Sequence, residues 1–316
     1  MKPIIKWAGG KKDMLPLFQE IWETQSSDRL VEVFAGGLAI ALGLELENVV
    51  ANDINKDLIS FYQFAQSGQV FPGEFVHSFK EYAAAKELYN TRVARGNTLT
   101  ADDCARLFYY LSKTSFNGLY RVNARGIYNT PIGYPARYKS HPDKDTMSFN
   151  TQFSYSFPEF AKVTKNWTFN SVDFRRLEIK PSDLLFADPP YYGNYSQYSS
   201  TNFHWRDHVD LANWLDKHPG AIVATNSPHP EIIKLYLSKG FSYMLYNKTY
   251  SISGLAGGRR ETCEAIFFRV SIARKARLPP LISYPVNQNG RRLTETEMSA
   301  EQWAEVQLLE ELKANS

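Results

Sequence analysis

Leu30-Val31-Glu32-Val33-Phe34-Ala35-Gly36-Gly37, then the apolar pattern Leu38, Ile40, Leu42 and Leu44, then Val49-Val50-Ala51-Asn52-Asp53, is the stretch that decides how this chain is built. A short β-rich run stops at two glycines, a helix-period pattern follows, and a second β-rich run ends at an acid. Strand, glycine turn, helix, strand, acid is the layout of a nucleoside-binding βαβ half. The glycines let backbone approach a ligand, and an acid closing the second strand suits two ribose hydroxyls. Only Gly36 and Gly37 are present, which favours a smaller adenosine ligand over a dinucleotide.

Further along, Leu184-Leu185-Phe186-Ala187-Asp188-Pro189-Pro190-Tyr191-Tyr192 reads as a buried strand ending in a rigid turn. Pro189 and Pro190 lack an N–H and fix φ, so the backbone leaves the sheet there. A carboxylate, a carbonyl and a flat ring thus gather at the carboxyl end of a strand, where open α/β sheets bind ligands. An amino group conjugated to a heteroaromatic ring is a poor nucleophile, because its lone pair is delocalised. Asp188 and the Pro189 carbonyl could each accept one of its N–H groups, concentrating the lone pair on nitrogen while Tyr191 stacks on the ring. Methyl transfer from a sulfonium donor would then be an in-line displacement governed by positioning.

At 316 residues the chain has room for one large domain or two modest ones. Its 43% hydrophobic and 22% charged residues are ordinary for a soluble globular protein. A net charge of +3 is weakly basic, so a nucleic-acid partner must be sought in local charge. Cys104 and Cys263 lie far apart without CxxC spacing, which indicates neither a disulfide framework nor a zinc site. His204 and His208 are one helical turn apart but lack a HExxH pattern, and no metal is expected. No apolar run approaches the roughly 18 residues of a membrane span, and Met1-Lys2-Pro3 opens no signal peptide. A cytoplasmic setting without a membrane segment is the expectation.

Lys6-Trp7-Ala8-Gly9-Gly10-Lys11-Lys12 is a cationic loop leading to a helix expected to begin near Asp13 as cap. It lacks the upstream glycine and the Ser or Thr of a phosphate loop. From Asp57 to Tyr110 the pattern is helical, with Phe61, Phe64, Tyr82, Leu88, Leu107 and Tyr110 as expected core positions. Thr114 to Asn129 alternates between glycine turns and reads as a hairpin-like arm bearing Asn117, Arg121, Asn123 and Arg125. Arg and Asn are the types that pair bidentately with guanine and adenine edges; a solvated surface hairpin is the alternative. Gly193 to Phe203 suits a lid, Val209 to Leu215 a helix, and Ala221 to Asn226 and Glu264 to Phe268 two strands. Arg259, Arg260, Arg269, Arg274, Lys275, Arg277, Arg291 and Arg292 make that region basic enough for phosphate contacts. Beyond Pro279-Pro280 a linker leads to an amphipathic helix capped by Thr294 or Ser299, its apolar face formed by Trp303, Val306, Leu309 and Leu312.

Together and in this order the pieces resemble the Dam-type (D12 class) site-specific DNA adenine N6-methyltransferases. The matching strings are KWAGGK at Lys6 to Lys11, VEVFAGG at Val31 to Gly37, NDIN at Asn52 to Asn55, FNGLYRVN at Phe116 to Asn123, DPPY at Asp188 to Tyr191, and GRRETCEAIF at Gly258 to Phe267. The likeness spans about residues 3–270. It implies an α/β fold: a Rossmann-like, mostly parallel sheet flanked by helices, as in class I S-adenosylmethionine-dependent methyltransferases, with an inserted helical and hairpin target-recognition domain. The implied divisions are residues 1–56 and 151–275 for the catalytic part, 57–150 for recognition, and 276–316 for a linker and terminal helix.

By the same resemblance Trp7, Lys11, Asp53 and Asp188 contact S-adenosylmethionine, and Phe34 and Gly36 line its pocket. Asp188, Pro189, Pro190 and Tyr191 hold an adenine flipped out of double-stranded DNA. Arg121, with Asn117, Leu119, Asn123 and Pro131, reads a GATC-like site, Phe116 wedges the duplex, and Lys6 meets the first guanine. The run from Gly133 to Tyr138 departs from the family by an insertion before its tyrosine. The alternatives are a methyltransferase acting on RNA guanine or protein glutamine, which would share the aromatic tetrapeptide but lack the arm, and a non-catalytic DNA-binding protein.

Overall fold

The stretch from Leu30 to Asp53 folds as its pattern demands. β1 (Arg29–Glu32) and β2 (Val49–Asn52) pair in parallel, joined through the short helix α2 (Ala39–Leu44). With β5 (Thr168–Asn170), β6 (Asp183–Ala187), β7 (Ile222–Asn226), β8 (Ser242–Ser251) and β9 (Arg259–Arg269) they form a seven-stranded sheet in the order β5-β2-β1-β6-β7-β9-β8. The first five of that order are parallel; β9 runs antiparallel to β7 and to β8. The computed structural model describes residues 1–96, 99–123, 125–134, 147–193, 203–251 and 259–270, except the side chains of residues 95, 247–251 and 259–262. The expected lid, the insertion after Tyr134 and the terminal helix fall largely or wholly outside these residues.

From β1 the chain works outward through β2 to β5, then returns to lay β6 on the other side of β1 and β7 beyond it. The order therefore reverses between β1 and β6, and the loops leaving their carboxyl ends diverge around a crevice. Residues 33–37 and 188–191 sit at that point.

The parallel strands are buried on both faces, so their side chains sort by alternation. Leu30, Leu184, Phe186 and Val223 enter the core shared with α1 (Leu15–Thr24), α2 and α3 (Lys56–Ser67). Val31, Val33, Leu185, Ala187 and Ala224 enter the core under α7 (Trp205–Asp216) and α8 (Pro230–Leu237). A one-residue slip in any pairing would exchange the two sets, so both cores fix the register. No helix of the described residues is long and apolar enough to cross a membrane.

Between β2 and β5 the chain inserts α3, a two-stranded pairing of β3 (His77–Ser78) with β4 (Ser148–Phe149), and the helices α4 (Phe79–Arg95), α5 (Ala101–Thr114) and α6 (Pro158–Val163). Aromatic rings fill the space between them. Phe61 stacks on Tyr109 at 5.3 Å, Phe64 on Phe71 at 4.0 Å, and Phe157 meets Phe61 edge-on at 5.4 Å. Asn55 caps α3 by accepting from the Asp57 and Leu58 N–H groups, and Thr100 with Asp103 closes a capping box on α5.

Three expectations need correction. Asp13 does not cap a helix: it lies in a 3₁₀ turn (Lys12–Met14), and α1 starts at Leu15, where Pro16 in the first turn supplies a preset φ. Leu88 is 48% exposed, because the inward face of α4 carries Tyr82 and Tyr89, about a third of a turn away. After α5 the expected hairpin is reduced to single bridges, Ser115 to Ile132 and Val122 to Tyr128. Positive φ at Asn117 and Gly118 turns the chain before a ladder can extend.

Candidate active site

The crevice between β1 and β6 opens into a cavity of about 730 Å³, within the size range of small-ligand sites. Trp7, Lys11, Phe34, Gly36, Asp53, Asp188, Pro189, Pro190 and Tyr191 all line it, so the sequence stretches that carried the site meet in one place.

At the β2 side, Asp53 accepts the Gly36 N–H through Oδ2 (3.0 Å) and the Asn55 N–H through Oδ1 (2.9 Å). Burial pushes its carboxyl up, against the pull of these two backbone donors. Each oxygen retains a lone pair, which is the acceptor set for two vicinal hydroxyls. The glycine turn is held close by Tyr62, whose hydroxyl donates to the Gly36 carbonyl at 2.6 Å. Gly36 has φ +45°, and a Cβ there would stand 2.9 Å from Trp7 Cδ1. Phe34 faces Phe174 at 5.9 Å and Phe203 at 5.8 Å, forming an aromatic wall. Asp173 and Arg175 border this wall; the guanidinium of Arg175 bridges Asp173, Asp207 and Asp210.

At the β6 side, Asp188 is anchored from two elements. The Thr225 hydroxyl on β7 donates to Oδ1 at 2.5 Å, and Lys11 Nζ pairs with Oδ2 at 2.9 Å. Lys11 also donates to the Gly9 carbonyl (2.7 Å), lies 5.1 Å from the Tyr191 ring centroid, and stands 3.8 Å from Glu264 on β9. The Tyr191 phenol is pushed well up by burial, with the charges of Asp188 and Glu264 adding to it. The turn after Pro190 is pinned by β7: Asn226 Oδ1 accepts the Tyr192 N–H at 3.0 Å and Ser227 Oγ donates to the Tyr192 carbonyl at 2.8 Å. Behind Asn226 the buried imidazole of His208 contacts its amide at 3.3 Å, and burial holds that imidazole down to about 4.

The arm after α5 stands over the other end of the same loop. Lys6 packs on Gly118, where a Cβ would meet its side chain at 3.0 Å. Trp7 stacks on Tyr120 at 6.1 Å and 22°. Phe116 is 49% exposed at the tip, and its N–H donates to the carbonyl of exposed Pro131. Leu119 is half-buried beside them. Arg121 Nε donates to Asn129 Oδ1 at 2.8 Å, which steers the guanidinium along the arm. Asn123, expected to face DNA, uses its side-chain oxygen to accept the Arg125 and Ile127 N–H groups, so part of its capacity goes to shaping the turn. The side chains of Arg259 and Arg260 lie outside the described residues. Among the described residues no cluster of three His, Cys, Asp or Glu is placed to hold a metal.

Thr225 has no motif that marks it in sequence, and Glu32 and Glu264 lie inside the matching strings without a role of their own. Glu32 closes β1 and accepts the Ala41 N–H at 2.7 Å; burial, aided by the charge of Asp188, raises its carboxyl to about 8. Thr225 and Glu264 reach Asp188 and Lys11 only through strand register. Asp173 and Phe174 carried a faint signal, an acid and a ring just past a β-rich run.

The family model described as D12 class N6 adenine-specific DNA methyltransferase matches residues 7–252. Among curated proteins, the type II methyltransferase M.CviBI of Paramecium bursaria Chlorella virus NC1A is 29% identical over 271 residues, covering 84% of this chain and 98% of that protein. The retron Ec67 DNA adenine methylase of Escherichia coli is 28% identical over 278 residues, covering 84% and 90%. The DNA adenine methylase of Vibrio cholerae serotype O1 is 24% identical over 284 residues, covering 84% and 96%.

Proposed function

This chain belongs to the D12 class N6 adenine-specific DNA methyltransferases, and from that premise we propose that it transfers a methyl group from S-adenosylmethionine to the exocyclic amino group of an adenine flipped out of double-stranded DNA, at a GATC-like site. The observation that carries this reading is the single cavity holding both Asp53 and Asp188 at the sheet's reversal point.

The cavity fits the methyl donor. Asp53 has the free lone pairs for the ribose, Gly36 leaves the backbone bare where a Cβ would collide, and Phe34, Phe174 and Phe203 offer an apolar wall for the base. When bound, S-adenosylmethionine supplies a sulfonium methyl whose C–S bond breaks as the new N–C bond forms, leaving a thioether. The chain's own work lies at the acceptor. Asp188 and the Pro189 carbonyl each accept one N6 hydrogen, which localises the nitrogen lone pair and aims it. Tyr191 offers its ring face to the base. Once the N–C bond is made the nitrogen sheds one proton, and the Asp188 carboxylate is positioned to receive it.

Recognition rests on the arm. Lys6 packs against Gly118 in the arm that carries Arg121 and exposed Phe116, which suits two cations meeting base edges beside an apolar wedge. Family membership favours this reading over an RNA or protein substrate, and an assembled Asp53–Lys11–Asp188 cavity favours catalysis over binding alone. The test is methylation of a duplex library randomised around one adenine. We expect N6-methyladenine confined to a GATC-like context. Arg121→Ala should relax the preference at one guanine, worth about 1–3 kcal/mol of discrimination, more than it lowers total activity. Equal loss on every sequence with unchanged preference would mean that the arm holds backbone and another element reads the site.

A further inference from the structure

Lys11 serves two carboxylates. It pairs with Asp188 at 2.9 Å and stands 3.8 Å from Glu264, and Lys11 and Glu264 are 4% and 3% exposed. β9 delivers Glu264 to the crevice: the register pairs Asn226 with Ala265, which sets the next residue level with the carboxyl ends of β6 and β7. A buried carboxylate at the head of the apolar run Ala265-Ile266-Phe267-Phe268 of β9 is costly and calls for a reason.

Charge supplies one. A lone Lys11–Asp188 pair is neutral, and a neutralised Asp188 pulls weakly on the hydrogens of an amino group. With Glu264 the set carries a net charge of about −1 at the point where a sulfonium, and then an alkylated nitrogen, brings a positive charge. Glu32 does not provide that charge near pH 7, since its carboxyl is raised to about 8. We propose that Glu264 is a positioning residue for methyl transfer: by sharing the Lys11 ammonium it leaves the Asp188 carboxylate free to accept the adenine amino hydrogen and, later, its proton. The inference rests on the role of Asp188 given above.

The titratable and charged groups facing this set are Lys11 from the first loop, Glu32 from β1, Asp188 and Tyr191 from the turn after β6, and Tyr246 from β8. Tyr246 is pushed up first by burial, then by the charges of Asp13 and Glu264. Substituting Glu264 also lifts its charge from Tyr191 and Tyr246, so the readout has to be the acid limb, where a carboxylate and not a phenol titrates.

The test is the pH dependence of single-turnover methyl transfer on duplex DNA for the full chain, Glu264→Gln and Glu264→Asp, with thermal melts alongside. Glu264→Gln should lower the plateau rate on the order of tenfold, the scale of coupling between neighbouring groups. It should also move the acid limb to lower pH, because a like charge beside Asp188 is gone. Glu264→Asp should recover part of both. If Glu264→Gln does not fold, Glu264→Asp against wild type should show a smaller shift of the same sign. An unmoved acid limb, an unchanged plateau, or Glu264→Asp no better than Glu264→Gln would overturn the proposal. Asp188→Asn serves as the control: an inactive Asp188→Asn with an unmoved limb in Glu264→Gln sinks this inference alone, whereas an active Asp188→Asn sinks the underlying reading.

Discussion

Glu32 is a buried acid whose carboxyl stays protonated far above its ordinary value of 4.5, up to about 8. Between those values the folded chain holds a proton that the unfolded chain has released. Stability attributable to this residue therefore falls as pH rises through that window. Glu32→Gln keeps an acceptor for the Ala41 N–H and removes the titration. The variant should match wild type near pH 5 and exceed it near pH 8, by as much as a few kcal/mol, in paired denaturant titrations; parallel curves at both pH values would place the proton elsewhere. The residues that sequence reading found, Asp53 and Asp188, each stand where a local pattern ends, at a strand terminus marked by glycines or prolines. Glu32, Thr225 and Glu264 sit inside ordinary strand sequence. Thr225 and Glu264 take their meaning from what the sheet's register brings opposite them, and Glu32 from the Ala41 N–H of the helix that follows it, which no local pattern encodes.

The loop from Lys6 to Lys11 spans the active centre: Lys6 packs under the recognition arm at Gly118, Trp7 stacks on Tyr120 and covers Gly36, and Lys11 ends at Asp188. On the proposed function, DNA reading, donor binding and methyl transfer are thus joined by six consecutive residues. This gives an element-level prediction. Gly36→Ala combines a Cβ placed 2.9 Å from Trp7 Cδ1 with a φ of +45° that side chains disfavour by about 1–2 kcal/mol. The turn should shift, displacing Trp7; weaker S-adenosylmethionine binding by calorimetry together with altered Trp7 fluorescence is expected. Unchanged binding would mean that the glycine serves only the turn. The sequence conveyed that this loop and the arm matter, but not that they touch, because more than a hundred residues separate Trp7 from Tyr120. The misjudged Asp13 and Leu88 are local errors of a kind propensity cannot resolve, since Pro16 and the packing of Tyr82 and Tyr89 decide those positions.

At the scale of the whole molecule, one strand–glycine–helix–strand unit followed by one strand ending in Asp-Pro-Pro made a ligand crevice at strand carboxyl ends legible, while the strand order itself was not. Parallel strands need crossovers, crossovers cover both faces, and the reversal of order then fixes where a ligand can sit. What the insertion contributes was less legible, because its packing is carried by rings such as Phe61, Phe71, Tyr109 and Phe157 whose partners lie far apart in the chain. The insertion brings the arm onto Lys6 and Trp7, the latter lining the cavity, and the account as a whole stands on what happens in that cavity at Asp188. The most direct measurement is the single-turnover rate of methyl transfer by Asp188→Asn on a duplex with one target adenine, with DNA affinity determined on the same preparation. The amide can turn a donor toward the adenine amino group and carries no charge. The account predicts DNA affinity close to wild type and a rate lower by on the order of a hundredfold or more. A rate near that of wild type would contradict it.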